Sequence, residues 1–553
     1  MAVIVPTKWG DASAKPPGAA SPERERVSSS PTEPPLFGVV WTPPGAPGPA
    51  LRELDRIHAL GATAIRLTAL PPTDRVVARA DTLGLTLFVD LPVSYVGAKA
   101  LSDSLDRAAP VLERLQALAR RHQSVQYVGL ARHADTTVPT ACSTLAEWTD
   151  RLHAGPSPLR TYYVTPFPAA TDRCADAVDL PLIDTRAQPA PVTSWRAWDP
   201  DTRPAGIGAL GTWLSLAARP GLRVPHSPEQ QARYLERGLS RLLDGTQPPP
   251  PAVFVHRWGD DAGAPLPVRR YGLHDAAGAR RPAADVVAGL YTGAQRVFAF
   301  PTGTSPPSAP HGLLVLGWGL VALLAGLYAQ RPFVRQTALR YFAAHGFYRD
   351  AVRKGRDVST PLNALLLLVV ATALGLTATV LLRLGAAQPV TEHVVAALPA
   401  ALGTLLGHGI AHPSVGGAVV GGAAFLLLVG WAGALVLAAR SEGAFSMGQG
   451  LMLVAWACWP GPAAMVVALV AATEPPLSPF LLSGLLVGGG LITIIAVTTR
   501  VLRDFWAVSG VAPSLLISLT LASPLALVLL TTAAVLVQYD VSFPLLWHLL
   551  TRT

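Results

Sequence analysis

Lysine is almost missing from this chain: four of 553 residues, against 40 arginines. Cysteine is nearly as rare, and three residues cannot build a disulfide framework, which a core of this size does not need. Charge is scarce in one region above all. Of 79 charged side chains, 60 fall in residues 1–310, nine in 331–360 and only ten in 361–553. Soluble globular chains carry about 25% charged residues, so the C-terminal third excludes a simple soluble protein. Net charge is +9, but +5 of it sits in 331–360, so no broad basic footprint argues for nucleic acid. The start, MAVIVPTKWGDASAKPP, shows neither a basic n-region nor an apolar h-region. The expectation is a start further upstream; the other readings are a first span that translocates unaided, or an inverted topology.

What the C-terminal part does have is long apolar runs. Five are plain, at 312–330, 361–384, 416–439, 477–499 and 511–537, and a sixth, 448–472, is interrupted by Pro460 and Pro462. A seventh, 394–412, is diluted by Pro399, glycines and two histidines. Arg331, Arg335, Arg340, Arg349, Arg353, Lys354 and Arg356 make 331–360 a cytoplasmic loop by the positive-inside rule. With six spans, Arg440, Arg500 and Arg503 fall on that side as well, while 394–412 lies in the interface or re-enters. Residues 1–310 then lie outside the cytoplasm, on a bacterial inner membrane.

No acidic residue sits mid-span, so a proton relay is not visible. His408 and His412 have the spacing of paired metal ligands, but no third ligand accompanies them, and the reading is no metal and no cofactor. Gly417/Gly421 and Gly484/Gly488 are small-xxx-small pairs that predict close helix packing. The five spans after the basic loop, with their proline-broken WACWPGPAAMVV (456–467), resemble in pattern a Yip-type membrane domain, which implies no chemistry.

The first 34 residues, rich in Pro, Ser and Ala, read as a disordered lead-in. Short apolar runs then alternate with helical patterns: FGVVW (37–41), TAIRLTAL (63–70), LTLFVDLP (85–92), VQYVGLA (125–131), TYYVTPF (161–167), AVDLPLI (177–183), GIGALGTWL (206–214) and AVFVHRW (252–258). Eight strands with intervening helices over about 260 residues predict an α/β fold, a (β/α)8 TIM barrel, at 35–305; a doubly wound open sheet is the alternative. Gly206, Gly208 and Gly211 match G-x-G-x-x-G, but they lie inside a strand-like run and do not open a helix, so a dinucleotide is not expected.

The segments LRELDRIHALGATAIRLTALPP, ADTLGLTLFVDLP, SPEQQARYLERGLSRLL, FVHRWGDD and YGLHDAAGARRPAADVVAGLY resemble, in order, parts of the barrel of family 2 glycoside hydrolases. The likeness covers about residues 36–295, without that family's accessory β-domains. It implies a TIM barrel and an acid/base Glu after strand 4 with a nucleophile Glu after strand 7. In HQSVQYVGLARH (122–133), Arg132 and His133 stand at the Asn-Glu positions, and in GIGALG Ala209 stands where the nucleophile belongs. With both carboxylates replaced, standard retaining hydrolysis is not expected; Asp90, Asp184, Asp260 and Asp261 are the acidic fallbacks.

The strand ends offer Trp41, Arg66, Asp90, Arg132, His133, Asp184, Trp213, His256, Arg257, Trp258 and Asp260 as a glycan-binding set, since aromatic faces stack on sugars while Arg and Asp bind hydroxyls. The bland alternatives are barrel packing for Trp213 and Trp258, and a buried structural pair for Arg66 and Asp90. Cys142 and Cys174 pair if the domain is exported. The leading expectation is a membrane-anchored barrel that binds or guides a cell-envelope glycan, with the lipid bilayer and envelope membrane proteins as partners. The alternatives are an active glycosidase or transglycosylase, and a structural or transport component that uses the barrel as a docking platform.

Overall fold

All eight expected strands form in the computed structural model of the chain, as β1 (Leu36–Trp41), β2 (Ala64–Leu67), β3 (Thr86–Asp90), β4 (Val125–Arg132), β5 (Arg160–Thr165), β6 (Leu180–Asp184), β7 (Gly206–Leu210) and β8 (Ala252–Val255). They pair in parallel and in sequence order, and β8 returns to β1, so the sheet is a closed barrel and not an open one. The structure describes residues 34–71, 73–155, 159–198, 204–215, 219–244, 248–261, 263–304, 312–440, 445–473, 479–539 and 541–552. Apart from Pro34, the N-terminal lead-in lies outside them.

Strand residues alternate between two cores, as a period of two requires. Val39, Ile65, Leu87, Val128, Ile207 and Val253 face the surrounding helices. Val40, Phe88, Tyr127, Tyr162, Leu182 and Phe254 fill the interior. Seven helices surround the barrel: α1 (Pro47–Ala59), α2 (Asp74–Leu83), α3 (Leu101–Ala119), α4 (Pro139–His153), α5 (Pro191–Arg196), α6 (Pro228–Leu243) and α7 (Pro282–Tyr291). The turn of 3-10 helix at Ala175–Ala177 stands where a helix between β5 and β6 would be. Cys142 and Cys174 are joined by a disulfide. The glycines of the G-x-G-x-x-G run are spacers: a Cβ on Gly206 would lie 2.6 Å from Leu182 Cδ2 and 2.9 Å from Ala252 O.

The described residues from 312 onward are mainly helical: α8 (Gly312–Gln330), α9 (Pro332–Ala343), α10 (His345–Arg353), α11 (Thr360–Ala387), α12 (Val390–Ala397), α13 (Ala400–Ala411), α14 (Pro413–Ala439), α15 (Met447–Ala457), α16 (Pro460–Thr473), α17 (Pro479–Ser509), α18 (Pro513–Leu521), α19 (Pro524–Gln538) and α20 (Phe543–Arg552). Among the described residues, α8, α11, α14 and the α15–α16 stretch are long and apolar enough to cross a membrane; α18 and α19, bent by 56°, make a fifth if they count as one span. The expected span at 477–499 begins in residues outside the described set and continues in the 31-residue α17. The segment 394–412 is two short pieces broken at Pro399, and the 12-residue α13 spans only about 18 Å, too little to cross. Exposed Val315, Trp318, Leu426 and Ile517 give these helices the apolar outer face that lipid requires.

The basic segment 331–360 is not an open loop but contains α9 and α10. Asp504 of α17 fixes it, with Arg349 Nη2 at 2.7 Å and His345 Nε2 at 2.9 Å. Tyr348 donates to Met452 O, which brings the start of the α15–α16 stretch to the same end. Gly417 and Gly421 seat α14 on α11: added Cβ atoms would lie 2.5 Å from Gly375 O and 2.9 Å from Ala371 O. Gly484 and Gly488, expected to pack in the same way, face open space.

Pro35–Thr553 form one compact unit. The barrel meets the helices through the loops that follow its strands. Leu266 sinks between α12 and α13 beside Val395 and Ile410. Arg269 donates to Ala386 O and Gln388 O at 2.8 and 2.6 Å, satisfying carbonyls at the C-terminal end of α11. Phe167 packs on Leu545 and Leu549 of α20, and His548 there lies 3.0 Å from Asp135. α11 has 28 residues, about 42 Å, so the barrel and the α9–α10 layer lie at opposite ends of it.

Candidate binding site at the barrel mouth

Parallel strands aim their last residues, and the loops after them, at the C-terminal face of the barrel. Here that face opens into a cavity of about 410 Å³, within the usual size for small-molecule sites. One wall comes from the barrel and the other from Glu392 and Ala396 of α12, so the site is shared by the two halves of the chain.

Five arginines line it: Arg66, Arg132, Arg186, Arg257 and Arg269. Arg66, 3% exposed, grips Asp90 with Nε and Nη2 at 3.1 and 2.9 Å and donates to Gly208 O. Tyr162 donates to the same carboxylate at 2.7 Å. Arg186 bridges Asp184 (Nη2 to Oδ2, 2.7 Å) and Glu392 (Nη1 to Oε1, 2.8 Å). Glu392 also accepts from Tyr271 at 2.6 Å and lies 3.7 Å from Arg269. Arg257 is paired with Asp261 at 2.5 Å. Arg132 has the loosest arrangement: its Nε is 3.5 Å from Asp90 Oδ2 and makes no hydrogen bond.

His133 follows β4 with φ of 55°, and Tyr95, whose ring centroid is 4.7 Å away, has φ of 54°. Backbone in this region costs side-chain-bearing residues stability and clusters at functional sites. His133 Nε2 is 2.8 Å from Asp184 Oδ2. Burial opposes ionisation of Asp184, but the Arg186 guanidinium and the His133 bond outweigh it and hold the carboxyl well below its usual range. Burial pushes the His133 imidazole down to about 4 against the pull of Asp184. The ring is therefore neutral at pH 7 and donates through Nε2, which leaves Nδ1 as an acceptor with no partner among the described residues. Burial, then neighbouring His133, takes His393 to about 3, and Tyr95 OH lies 3.1 Å from its Nδ1. Burial and then Arg186 and Arg257 hold His256 well below its ordinary value.

His133, Asp184 and His393 bring three ligand atoms within 4.8 Å of one another, a two-histidine, one-carboxylate set. The carboxylate already carries the fixed charge of Arg186, which a cation would have to displace. His408 is exposed and α13 ends at Ala411, so His408 and His412 do not share one helix face.

Of the residues singled out in the sequence, Arg66, Arg132, His133, Asp184, His256, Arg257 and Asp261 line this cavity, as does Ala209, which offers no carboxylate. Trp41, Trp258 and Asp260 line a second cavity of about 320 Å³ that shares Thr42, Arg257 and Asp261 with the first. Asp260 is held there by Arg281 at 2.6 Å. Asp90 lies beneath the mouth, outside both linings, as half of the buried Arg66 pair. Trp213 also lies outside them, stacked on His226 at 3.4 Å. Tyr95, Arg186, Arg269, Tyr271, Glu392 and His393 were not singled out as site residues. Glu392 carried one legible signal, an acid within a stretch nearly devoid of charge.

Among solved structures the chain is similar to a family GH2 β-galacturonidase from Eisenbergiella tayi bound to galacturonate, at 15% identity and TM-score 0.42 over 48% of this chain and 52% of that one. It is also similar to a β-glucuronidase from an uncultured Clostridium, at 13% identity and TM-score 0.41 over 47% and 50%. A β-glucuronidase from Ruminococcus gnavus in complex with uronic deoxynojirimycin gives 14%, 0.39, 46% and 49%. The chain thus covers about half the length of these structures. No protein-family model and no curated protein matches it.

Proposed function

We propose that this is a membrane-anchored, glycoside-hydrolase-like protein whose barrel binds or guides a negatively charged cell-envelope glycan at the bilayer surface, without retaining hydrolysis. The carrying observation is the arginine-lined cavity at the barrel mouth, closed on one side by α12 of the membrane half. Guanidinium groups suit carboxylates and phosphates, and the polar second cavity suits sugar hydroxyls. Ala209 in the lining supports binding over a covalent mechanism, since a retaining enzyme needs a carboxylate nucleophile facing the acid/base group. The Cys142–Cys174 disulfide supports an oxidising compartment for the barrel. The cluster of positive residues around α9 and α10, at the far end of α11, supports a cytoplasmic location for that opposite side.

The test is calorimetry on the full chain in nanodiscs with alginate oligosaccharides against maltohexaose. Binding of the acidic sugar alone, weakened at least tenfold in Arg132→Gln, is the expected result; binding of neither removes the reading. A second reading, a glycosidase or transglycosylase with displaced carboxylates, rests on Asp184 and Asp261, the two acidic candidates that line the main cavity. It requires aryl-glycoside turnover that Asp184→Asn or Asp261→Asn abolishes, and no turnover by the parent protein ends it.

A further inference from the structure

We propose that the anion recognised at the mouth is the phosphate linking a glycan to a lipid, so that the ligand is a lipid-carried sugar phosphate. This rests on the glycan-binding reading above and names the source of its charge.

Charge comes first. Arg66 and Arg132 share Asp90, Arg186 and Arg269 share Glu392, Arg186 also holds Asp184, and Arg257 holds Asp261. Five guanidinium groups therefore face four carboxylates. The group left short is Arg132, because Asp90 Oδ2 already receives Arg66 Nη2 at 2.9 Å while Arg132 Nε stays 3.5 Å away. Its side chain is 27% exposed, open enough to receive a ligand.

Orientation comes next. The mouth does not face open solvent on every side: α12 forms a wall, and α13 abuts the adjoining loop so closely that a Cβ on Gly407 would lie 2.8 Å from Pro265 O. That side of the lining carries Glu392, whose carboxylate is taken up by Arg186 and Tyr271, and beside it Ala264, Pro265 and Ala396, which offer no side-chain hydrogen bond to sugar hydroxyls but fit the first carbons of a lipid. Away from it, across Thr42, Arg257 and Asp261, the second cavity presents the carboxylates of Glu53, Asp260 and Asp275, acceptors for sugar hydroxyls, while Trp41 in its lining is buried and bonded to Glu53. The order alanine–proline patch, loosely paired guanidinium, polar compartment matches the order lipid, phosphate, sugar. A free acidic sugar would leave the Ala264, Pro265 and Ala396 patch without an occupant, and a free phosphate would leave both ends empty.

The test uses the full chain in nanodiscs and four probes: farnesyl phosphate, farnesol, inorganic phosphate and alginate oligosaccharide. Farnesyl phosphate is expected to bind at least tenfold more tightly than farnesol or inorganic phosphate and to lose at least tenfold in Arg132→Gln. Farnesol binding should be unchanged by that substitution. Arg132→Lys, which keeps the charge but loses the fork, should fall between the two; it also serves if the glutamine variant does not fold. Inorganic phosphate as tight as farnesyl phosphate would assign the site to a free anion and overturn the proposal. So would farnesyl phosphate no tighter than farnesol, or an Arg132 variant without effect. Alginate binding without farnesyl phosphate binding overturns this inference and leaves the glycan reading standing; failure of both removes the two together.

Discussion

Asp90 and Asp184 both end barrel strands and both receive an arginine, yet they lie in regions built to opposite standards. At Asp90, beneath the mouth, Arg66 and Tyr162 fill the carboxylate, Phe88 stacks on Tyr127 at 4.0 Å and meets Phe254 edge to face at 4.8 Å, and a Cβ on Gly129 would meet the Tyr162 ring at 2.7 Å. Nothing there has room to move. At Asp184, in the mouth, Arg186 is divided between two acids, His133 Nδ1 and His256 Nδ1 have no partner among the described residues, and Tyr95 and His133 hold positive φ. The floor satisfies its polar groups with each other, while the mouth keeps some in reserve. That difference separates a structural ion pair from the binding surface proposed here, although the residue types are the same.

The comparison breaks most sharply at Asp90→Asn. It leaves Arg66, 3% exposed, without its counter-charge, and removing one partner of a buried pair costs about 3–5 kcal/mol. A large fall in Tm of the full chain is expected; an unchanged Tm would mean that the floor is as slack as the mouth. Glu392→Gln acts on the joint between the halves. Arg186 keeps Asp184 and Arg269 keeps the α11 carbonyls, so the loss should be smaller, about 1–3 kcal/mol. Hydrogen exchange should rise in α12 and around residues 264–271 while the barrel strands stay protected. Equal protection in both proteins would show that Leu266, α20 and the Arg269 bonds to α11 hold the joint without Glu392.

Acid should loosen the mouth before the floor. His133 and His393 titrate below the unfolded value of about 6.5, at about 4 and about 3, so between those limits the unfolded chain binds protons that the folded chain does not. Stability is complete above pH 6.5 and falls as pH drops toward 4, by up to about 1.4 kcal/mol per pH unit for each histidine. Tm measured from pH 7.5 to 4.5 should follow that slope, and His133→Gln should flatten it. The smallest expected effect is that of Zn2+. With Arg186 already on Asp184, a stoichiometric addition should leave Tm unchanged; a rise of several degrees would make His133, Asp184 and His393 a metal centre instead.

The strands were legible because parallel strands buried on both faces read as short apolar runs between helical patterns, and each of the eight fell within a few residues of its predicted place. The membrane runs were legible because hydrocarbon thickness sets a minimum apolar length. About half of the mouth could also be read, since strand-end residues such as Arg132, His133 and Arg257 converge in any closed barrel. Trp213 shows the limit of that rule: it lies just past a strand, yet its ring sits between His226 and Arg269 and does not itself line the cavity. Glu392 and Arg186 show it more fully, as they are 206 residues apart and neither carries a local pattern pointing to the other.

The sequence by itself therefore determined the two architectures, the absence of carboxylates at positions 133 and 209, and where long apolar helices can run, because periodicity, composition and residue identity are local. Only the tertiary structure decided that α12 closes the barrel mouth, that Asp90 is floor and Asp184 is mouth, and that Arg132 is the cation left without a full partner. Those outcomes depend on which charges meet after burial, and a buried charge is settled by whatever neighbour the whole fold brings within about 3 Å.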